Sequence, residues 1–165
     1  MNDRTLRGLA LYGALLATFG ETHPFCDQIL QDSDDAKDKG KPGWTGRCAC
    51  ARHVAAYTAG QTATAAAVTL ALGYRLPARA WVAGAAVNGV THYVIDRRKP
   101  LIKFLRSPWV GKAEYLAYET VQRRPGEIDS GGGPGTALME MDQAAHRLIG
   151  VAAAAVTTWL AVRSR

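Results

Sequence analysis

Three histidine and aspartate pairs, each separated by four positions, constrain this chain more than any other feature. They are His23 and Asp27, His92 and Asp96, and, in reversed order, Asp142 and His146. On a helix, positions i and i+4 lie one above the other on the same face, so each pair reaches a common point. Only one histidine stands outside these pairs, and that residue, His53, opens an uncharged stretch. The spacing therefore predicts helix wherever the pairs occur.

The three pairs and His53 each adjoin or enter a run free of Asp, Glu, Lys and Arg: 8–20, 53–74, 80–95 and 148–162. A bilayer-spanning helix takes about 20 apolar residues, so 53–74 is the strongest span candidate, while 8–20 and 148–162 are short. Helical segments are expected at about 8–27, 51–75, 79–96 and 137–162, with loops at about 32–47 and 97–136. Pro24 lacks an amide donor and is expected to kink the first segment or start a new one. Sequential neighbours in a helical bundle run antiparallel. His23 and Asp27 then fall at the end of the first helix, His53 at the start of the second, His92 and Asp96 at the end of the third, and Asp142 and His146 at the start of the fourth. All lie at one end. The expected fold is all-α, an antiparallel four-helix membrane bundle formed by residues 1–165 as a single domain, with a His/Asp cluster at one end.

Composition agrees with close helix packing. The hydrophobic share is 48%, yet there are only three phenylalanines, and small residues let membrane helices approach closely. The net charge of +6 fits either nucleic acid or an anionic membrane surface. The basic residues sit beside apolar segments, which favours membrane lipid as the partner and makes nucleic acid unlikely. Cys26, Cys48 and Cys50 are an odd number and form no disulfide framework; small apolar packing is their expected role. The run Asp32 to Trp44 does not match a calcium loop and reads as a solvated connection. Leu101, Ile102, Phe104, Leu105, Trp109 and Val110 alternate with Lys103, Arg106 and Lys112, the pattern of a short interfacial helix. Gly131 to Gly133, Pro134 and Gly135 read as flexible connection.

The candidate metal ligands are His23, Asp27, His53, His92, Asp96, Asp142 and His146. A lone histidine or aspartate at a helix end is usually a cap or dipole partner. The whole set reads differently, because buried ionisable groups in membrane segments are costly and usually functional. Mixed nitrogen and oxygen ligation suits a divalent metal, zinc first and manganese or iron next. The surplus of ligands allows one or two ions, or groups that orient the ligands. The first functional expectation is a metal-dependent hydrolase of a phosphoester or lipid-linked substrate. Asp96 or Glu21 would be its general base, and Arg52, Arg97, Arg98 or Lys99 would hold the phosphate. The alternative is a non-enzymatic metal-binding membrane protein that senses the ion or uses it structurally. A soluble DNA-binding regulator comes third, since no helix-turn-helix with a basic recognition helix is visible. The positive-inside rule places a multi-pass protein in the inner (plasma) membrane with the ligand end cytoplasmic.

The sequence also carries a set of motifs in order: His23-Pro24-x-x-Asp27-Gln28-x-x-Gln31, Lys39-Gly40, Arg47-x-Ala49-Cys50-Ala51-Arg52-His53-Val54-Ala55-x-Tyr57-Thr58, Thr91-His92-Tyr93-x-x-Asp96-Arg97-Arg98, and Asp142-Gln143-x-x-His146. In these it resembles the domain-of-unknown-function 3307 family, small presumed integral-membrane proteins frequent in actinobacteria and their phages. The resemblance implies a polytopic membrane protein with those His, Asp and Gln positions as its signature. It implies no settled activity, and some members are labelled transcriptional regulators.

Overall fold

The computed structural model describes residues 2–119, 121–124, 127–129, 133 and 135–163; Gly131, Gly132 and Pro134 of the expected flexible connection lie outside them. The chain is helical. Its long helices are α1 (Asp3–Pro24), α3 (Gly43–Ala71), α4 (Ala78–Asp96) and α6 (Ala137–Val162), and its short ones are α2 (Ser33–Asp38) and α5 (Lys99–Leu105). A two-stranded antiparallel ribbon, β1 (Val121–Arg124) and β2 (Glu127–Asp129), interrupts the connection before α6.

Local chemistry sets these boundaries. The Asn2 side chain accepts the Thr5 amide at 2.9 Å and caps α1, and Thr136 accepts the Met139 amide at 3.2 Å and caps α6, each satisfying an orphan donor of a first turn. α1 runs to Pro24 and then widens into a π-helical turn, Phe25–Ile29, closed by the Leu30 amide on the Phe25 carbonyl at 3.1 Å. The kink expected at Pro24 takes this form, and it carries Cys26 and Asp27 into the interior. The expected loops are partly structured. Asp32 caps α2, α3 begins at Gly43 rather than near residue 51, and the 97–136 connection holds α5, a 3-10 turn and the ribbon.

The four long helices form a closed ring in which α1 packs on α3, α3 on α4, α4 on α6 and α6 on α1. Arg4 donates to the Val162 carbonyl at 2.7 Å, and the Tyr74 hydroxyl donates to the Arg7 carbonyl at 3.2 Å, so the start of α1 meets the ends of α6 and α3. Small residues make the ring tight. A Cβ built on Gly84 of α4 would lie 1.9 Å from Thr157 Oγ1 of α6. The far end of the bundle is filled by Leu11, Leu15, Phe19, Ala65, Ala80, Ala153, Ala154 and Ala161.

The interior between the two ends is polar. Gln61 donates to the Phe19 carbonyl at 2.8 Å and accepts from Asn88 Nδ2 at 2.8 Å, tying α1, α3 and α4 together. Thr69 and Thr157 are buried as well and return their hydroxyls to carbonyls of their own helices. The outward faces invert this pattern: Leu9, Val82, Val90, Leu148, Val151 and Trp159 are exposed within runs that carry no formal charge.

Among the described residues, α6 is the one helix long and apolar enough to cross a membrane, by length and composition, and only 33% of its most apolar window is buried. A membrane bundle of four helices was expected, with 53–74 its strongest span and 148–162 short; the helix that holds 148–162 meets the criterion and α3, which holds most of 53–74, does not. Thr, Gly, Gln and Asn dilute α3 and α4, and α1 has only the short uncharged run 8–20. The expected interfacial helix corresponds to α5, which turns Leu101 and Leu105 inward against Ile95, Leu116 and Leu138 and leaves Phe104 exposed. It therefore caps the core as well as presenting an apolar side chain outward.

The α4–α6 contact yields a direct test. Gly84→Val should lower the unfolding free energy by about 1–3 kcal/mol, the usual cost of overpacking, and lower the melting temperature with it. Ala86→Val, on the exposed face of the same helix, should change it little.

Candidate metal centre

Six of the seven ligand candidates are buried at the expected end of the bundle: His23, Asp27, His53, His92, Asp96 and His146 are each 4% exposed or less. α1 and its π-helical turn deliver His23 and Asp27, α3 delivers His53, α4 delivers His92 and Asp96, and α6 delivers His146. Asp142, one turn before His146, is half-buried.

Four atoms converge. His53 Nε2 lies 3.1 Å from Asp27 Oδ1, 3.0 Å from Asp96 Oδ2 and 3.0 Å from His92 Nε2. His92 Nε2 lies 3.2 Å from Asp96 Oδ2 and 3.7 Å from Asp27 Oδ1. Bonds of about 2.0–2.1 Å to a tetrahedral zinc place its ligand atoms about 3.3–3.4 Å apart, close to all five distances. Asp27, His53, His92 and Asp96 are thus able to hold a metal ion.

The hydrogen bonding agrees with that fit. Asp27 Oδ1 and Asp96 Oδ2 are buried and, although imidazoles and an ammonium stand within ion-pair range, no donor among the described residues is aligned on either. Orphaned carboxylate oxygens facing two Nε2 atoms are what an ion satisfies.

Burial alone would raise the Asp27 and Asp96 carboxyls. The imidazoles of His53 and His92 and the charge on Lys39 outweigh it and hold both well below the usual carboxylate range. Both groups are therefore ionised as ligands.

His23 has a different place from the one its sequence spacing predicts. Gln143 Nε2 donates to Asp27 Oδ2 at 3.0 Å, leaving Gln143 Oε1 to accept from His23 Nε2 at 3.1 Å. His23 Nδ1 then accepts from the Tyr57 hydroxyl at 2.9 Å. With both ring nitrogens engaged, His23 orients Asp27 through Gln143, as outer groups do around metal sites. The i,i+4 spacing brings His23 Nε2 to 3.9 Å from Asp27 Oδ2 without making it a ligand here.

The residue that spacing missed is Lys39. Its ammonium lies 3.2 Å from Asp96 Oδ2, 3.9 Å from Asp27 Oδ1 and 3.4 Å from His53 Nε2. It occurs in a charged run between helices, where helical spacing does not separate it from Lys37 and Lys41, and only the Lys39-Gly40 motif of the resemblance marks it. Its position follows from α2 and from Arg97, whose guanidinium donates to the Lys39 and Lys41 carbonyls at 2.6 Å each. Gly46 makes room for this, because a Cβ there would lie 2.1 Å from the Lys41 carbonyl oxygen.

The other sequence candidates divide. Arg97 makes this clamp and Arg52 is bound in a bidentate pair to Asp35 of α2, so the structure engages both guanidinium groups in the scaffold and brings neither into the cluster. Asp35 is buried by that pair, so the aspartate-rich segment is not simply solvated. The side chains of Glu21 and Lys99 are exposed, and neither joins the cluster. Arg98 does. It has a backbone φ of +56°, a region disfavoured for side-chain-bearing residues, and its side chain reaches over Gly40.

A cleft of about 630 Å³ opens on the cluster, bordered by Asp27, Lys39, Asp96, Arg98, Asp142 and Gln143. A smaller cleft of about 250 Å³ at the opposite end, between Arg4, Arg7, Tyr74 and Leu76, brings no ligand atoms together.

The cysteines stay outside the centre. Burial pushes the Cys50 thiol up to about 12, aided by Asp96, and its sulfur faces the Tyr93 carbonyl at 3.7 Å. A scan of protein-family models, a search of curated proteins and a search of solved structures each found no match to the chain.

Lys39 provides the test of this electrostatic picture. Without metal, Lys39→Met removes the ammonium beside two buried carboxylates and should lower stability by about 3 kcal/mol in chelator. The same substitution removes a like charge from beside the ion, so isothermal titration should show metal binding roughly tenfold tighter.

Proposed function

We propose that this chain is a membrane-embedded, metal-dependent hydrolase of phosphoester substrates, with zinc held by Asp27, His53, His92 and Asp96. The observation that carries the proposal is the convergence of two imidazole nitrogens and two orphaned carboxylate oxygens at tetrahedral spacing on a solvent-reached cleft. A zinc ion in such a centre supplies a Lewis acid and a bound water of lowered pKa.

The chain's own groups fit the remaining tasks. Lys39 and Arg98 border the cleft, where they place positive charge for a phosphate oxygen, Lys39 as a compact charge and Arg98 as a fork. Asp96 is taken up as a ligand, and the general-base role is not assigned to exposed Glu21. Tyr57, His23 and Gln143 hold Asp27 in its rotamer.

Membrane residence is part of the proposal. Its support is the inverted polarity of the bundle, with Gln61, Asn88, Thr69 and Thr157 inside and an uncharged outer surface between Arg-bearing ends, together with the apolar, mostly outward α6. On this reading the cleft opens at the membrane edge on the cytoplasmic side, within reach of a lipid-linked phosphoester.

A second reading keeps the ion and drops the reaction. Lys39 offsets part of the charge of the two carboxylates, which favours a centre that exists with and without its ion, as a sensor requires.

Metal analysis and assay of detergent-purified protein separate these readings. Wild type should carry zinc, His53→Ala and His92→Ala should lose it, and hydrolysis of bis(p-nitrophenyl) phosphate or phosphatidic acid should fall about a thousandfold with the metal. Stoichiometric zinc with no turnover of any phosphoester would favour the sensor. A folded wild type that binds no zinc, manganese or iron would overturn both.

A further inference from the structure

The four converging atoms leave half of Asp96 and all of His146 unexplained. Asp96 Oδ2 belongs to the tetrahedral group, while Oδ1 faces the other way, 3.7 Å from His146 Nε2. The tautomer of His146 follows from its other nitrogen. Nδ1 lies 2.9 Å from the Asp142 carbonyl oxygen and 3.2 Å from Asp142 Oδ2, both acceptors, so Nδ1 carries the proton and donates. In the neutral ring, the form that binds a cation, Nε2 is then a bare lone pair. His146 is 1% exposed, and no described residue hydrogen-bonds that nitrogen. A carboxylate gripping the far nitrogen of a histidine whose near nitrogen is unpaired is the arrangement that orients metal ligands and raises their basicity.

We propose that Asp96 is a bridging carboxylate and that Asp96 Oδ1 with His146 Nε2 forms a second divalent-cation site beside the first. This inference rests on the single-ion reading above and extends it to a dinuclear centre. Asp142 orients His146 through Nδ1 and remains, with Asp96 and His146, one of three side chains close enough to share an ion. The second site draws few ligands from the chain, and Asp96 and Asp142 border the cleft, so its remaining positions are open to water and to phosphate oxygens. That is the manner in which magnesium and manganese bind, through one or two protein groups plus substrate phosphate. Carboxylate-bridged pairs of ions about 3.5–4 Å apart clamp the attacking and leaving oxygens of phosphoryl transfer. The ligand class implied for the cleft is accordingly a phosphate mono- or diester, and the second ion is the weaker of the two.

Manganese serves as the probe, with full-length protein in detergent, stoichiometry from mass spectrometry after equilibrium dialysis and exchange coupling from electron paramagnetic resonance. The expected result is two equivalents with a spin-coupled signal in wild type, and one equivalent with an uncoupled signal in His146→Ala. Asp142→Asn, which keeps the imidazole and weakens its orientation, should reduce affinity for the second equivalent about 10–100-fold and leave the first unchanged; it also serves if the alanine variant fails to fold. Saturation of folded wild type at one uncoupled equivalent, unchanged by Asp142→Asn, would overturn the second site and leave the first standing. No bound manganese in wild type, with zinc and iron also failing to bind, would overturn both.

Discussion

Two ionised carboxylates, Asp27 and Asp96, buried within reach of the same imidazoles, are the constraint on which this structure turns. A single buried carboxylate costs several kcal/mol unless it is paired, and two together repel. The chain answers with Lys39 from outside the bundle and with His53 and His92 from within. Much of the architecture at this end serves that balance. α2 and the Arg97 clamp deliver Lys39, Gly46 gives the clamp room, and the π-helical turn after Pro24 brings Asp27 inward. The opposite end, filled by Leu11, Leu15 and a set of alanines, has no comparable problem and is packed simply.

The same balance links fold to chemistry. A buried site short of aligned donors is poised for a cation, since binding one replaces poor contacts with good ones. The ring of four helices lets residues far apart in sequence share that point, and the Gln61 to Asn88 bridge fixes the helices' mutual rotation just beneath it. Asp27 and Asp96 each offer one oxygen to the centre while the other is directed elsewhere, Asp27 Oδ2 to Gln143 and Asp96 Oδ1 toward His146. This division of each carboxylate lets a small cluster serve more than one purpose.

Much of this was legible in the sequence, for identifiable reasons. Helical class and the clustering of His and Asp at one end follow from i,i+4 spacing and antiparallel alternation, both strong periodic signals. Spacing places residues on a face but does not fix the direction of a ring nitrogen. Hence His23 reads as a ligand, although Gln143 gives it an orienting position; Asp142 stays near Asp96 and His146 in a second group able to hold an ion. Lys39, Arg52 and Arg97 depended on how a charged, irregular segment folds over the helix ends, where no period exists to read. Their tertiary partners, Asp96, Asp35 and the Lys39 and Lys41 carbonyls, are visible only in three dimensions.

X-ray absorption at the zinc edge on the zinc-loaded protein tests the central claim most directly. The account predicts a shell of nitrogen and oxygen atoms at about 2.0–2.1 Å, with outer-shell scattering from two imidazoles that disappears in step with His53→Ala and His92→Ala. A sulfur shell at about 2.3 Å, or a spectrum unchanged by either substitution, would contradict it and place the metal elsewhere in the chain.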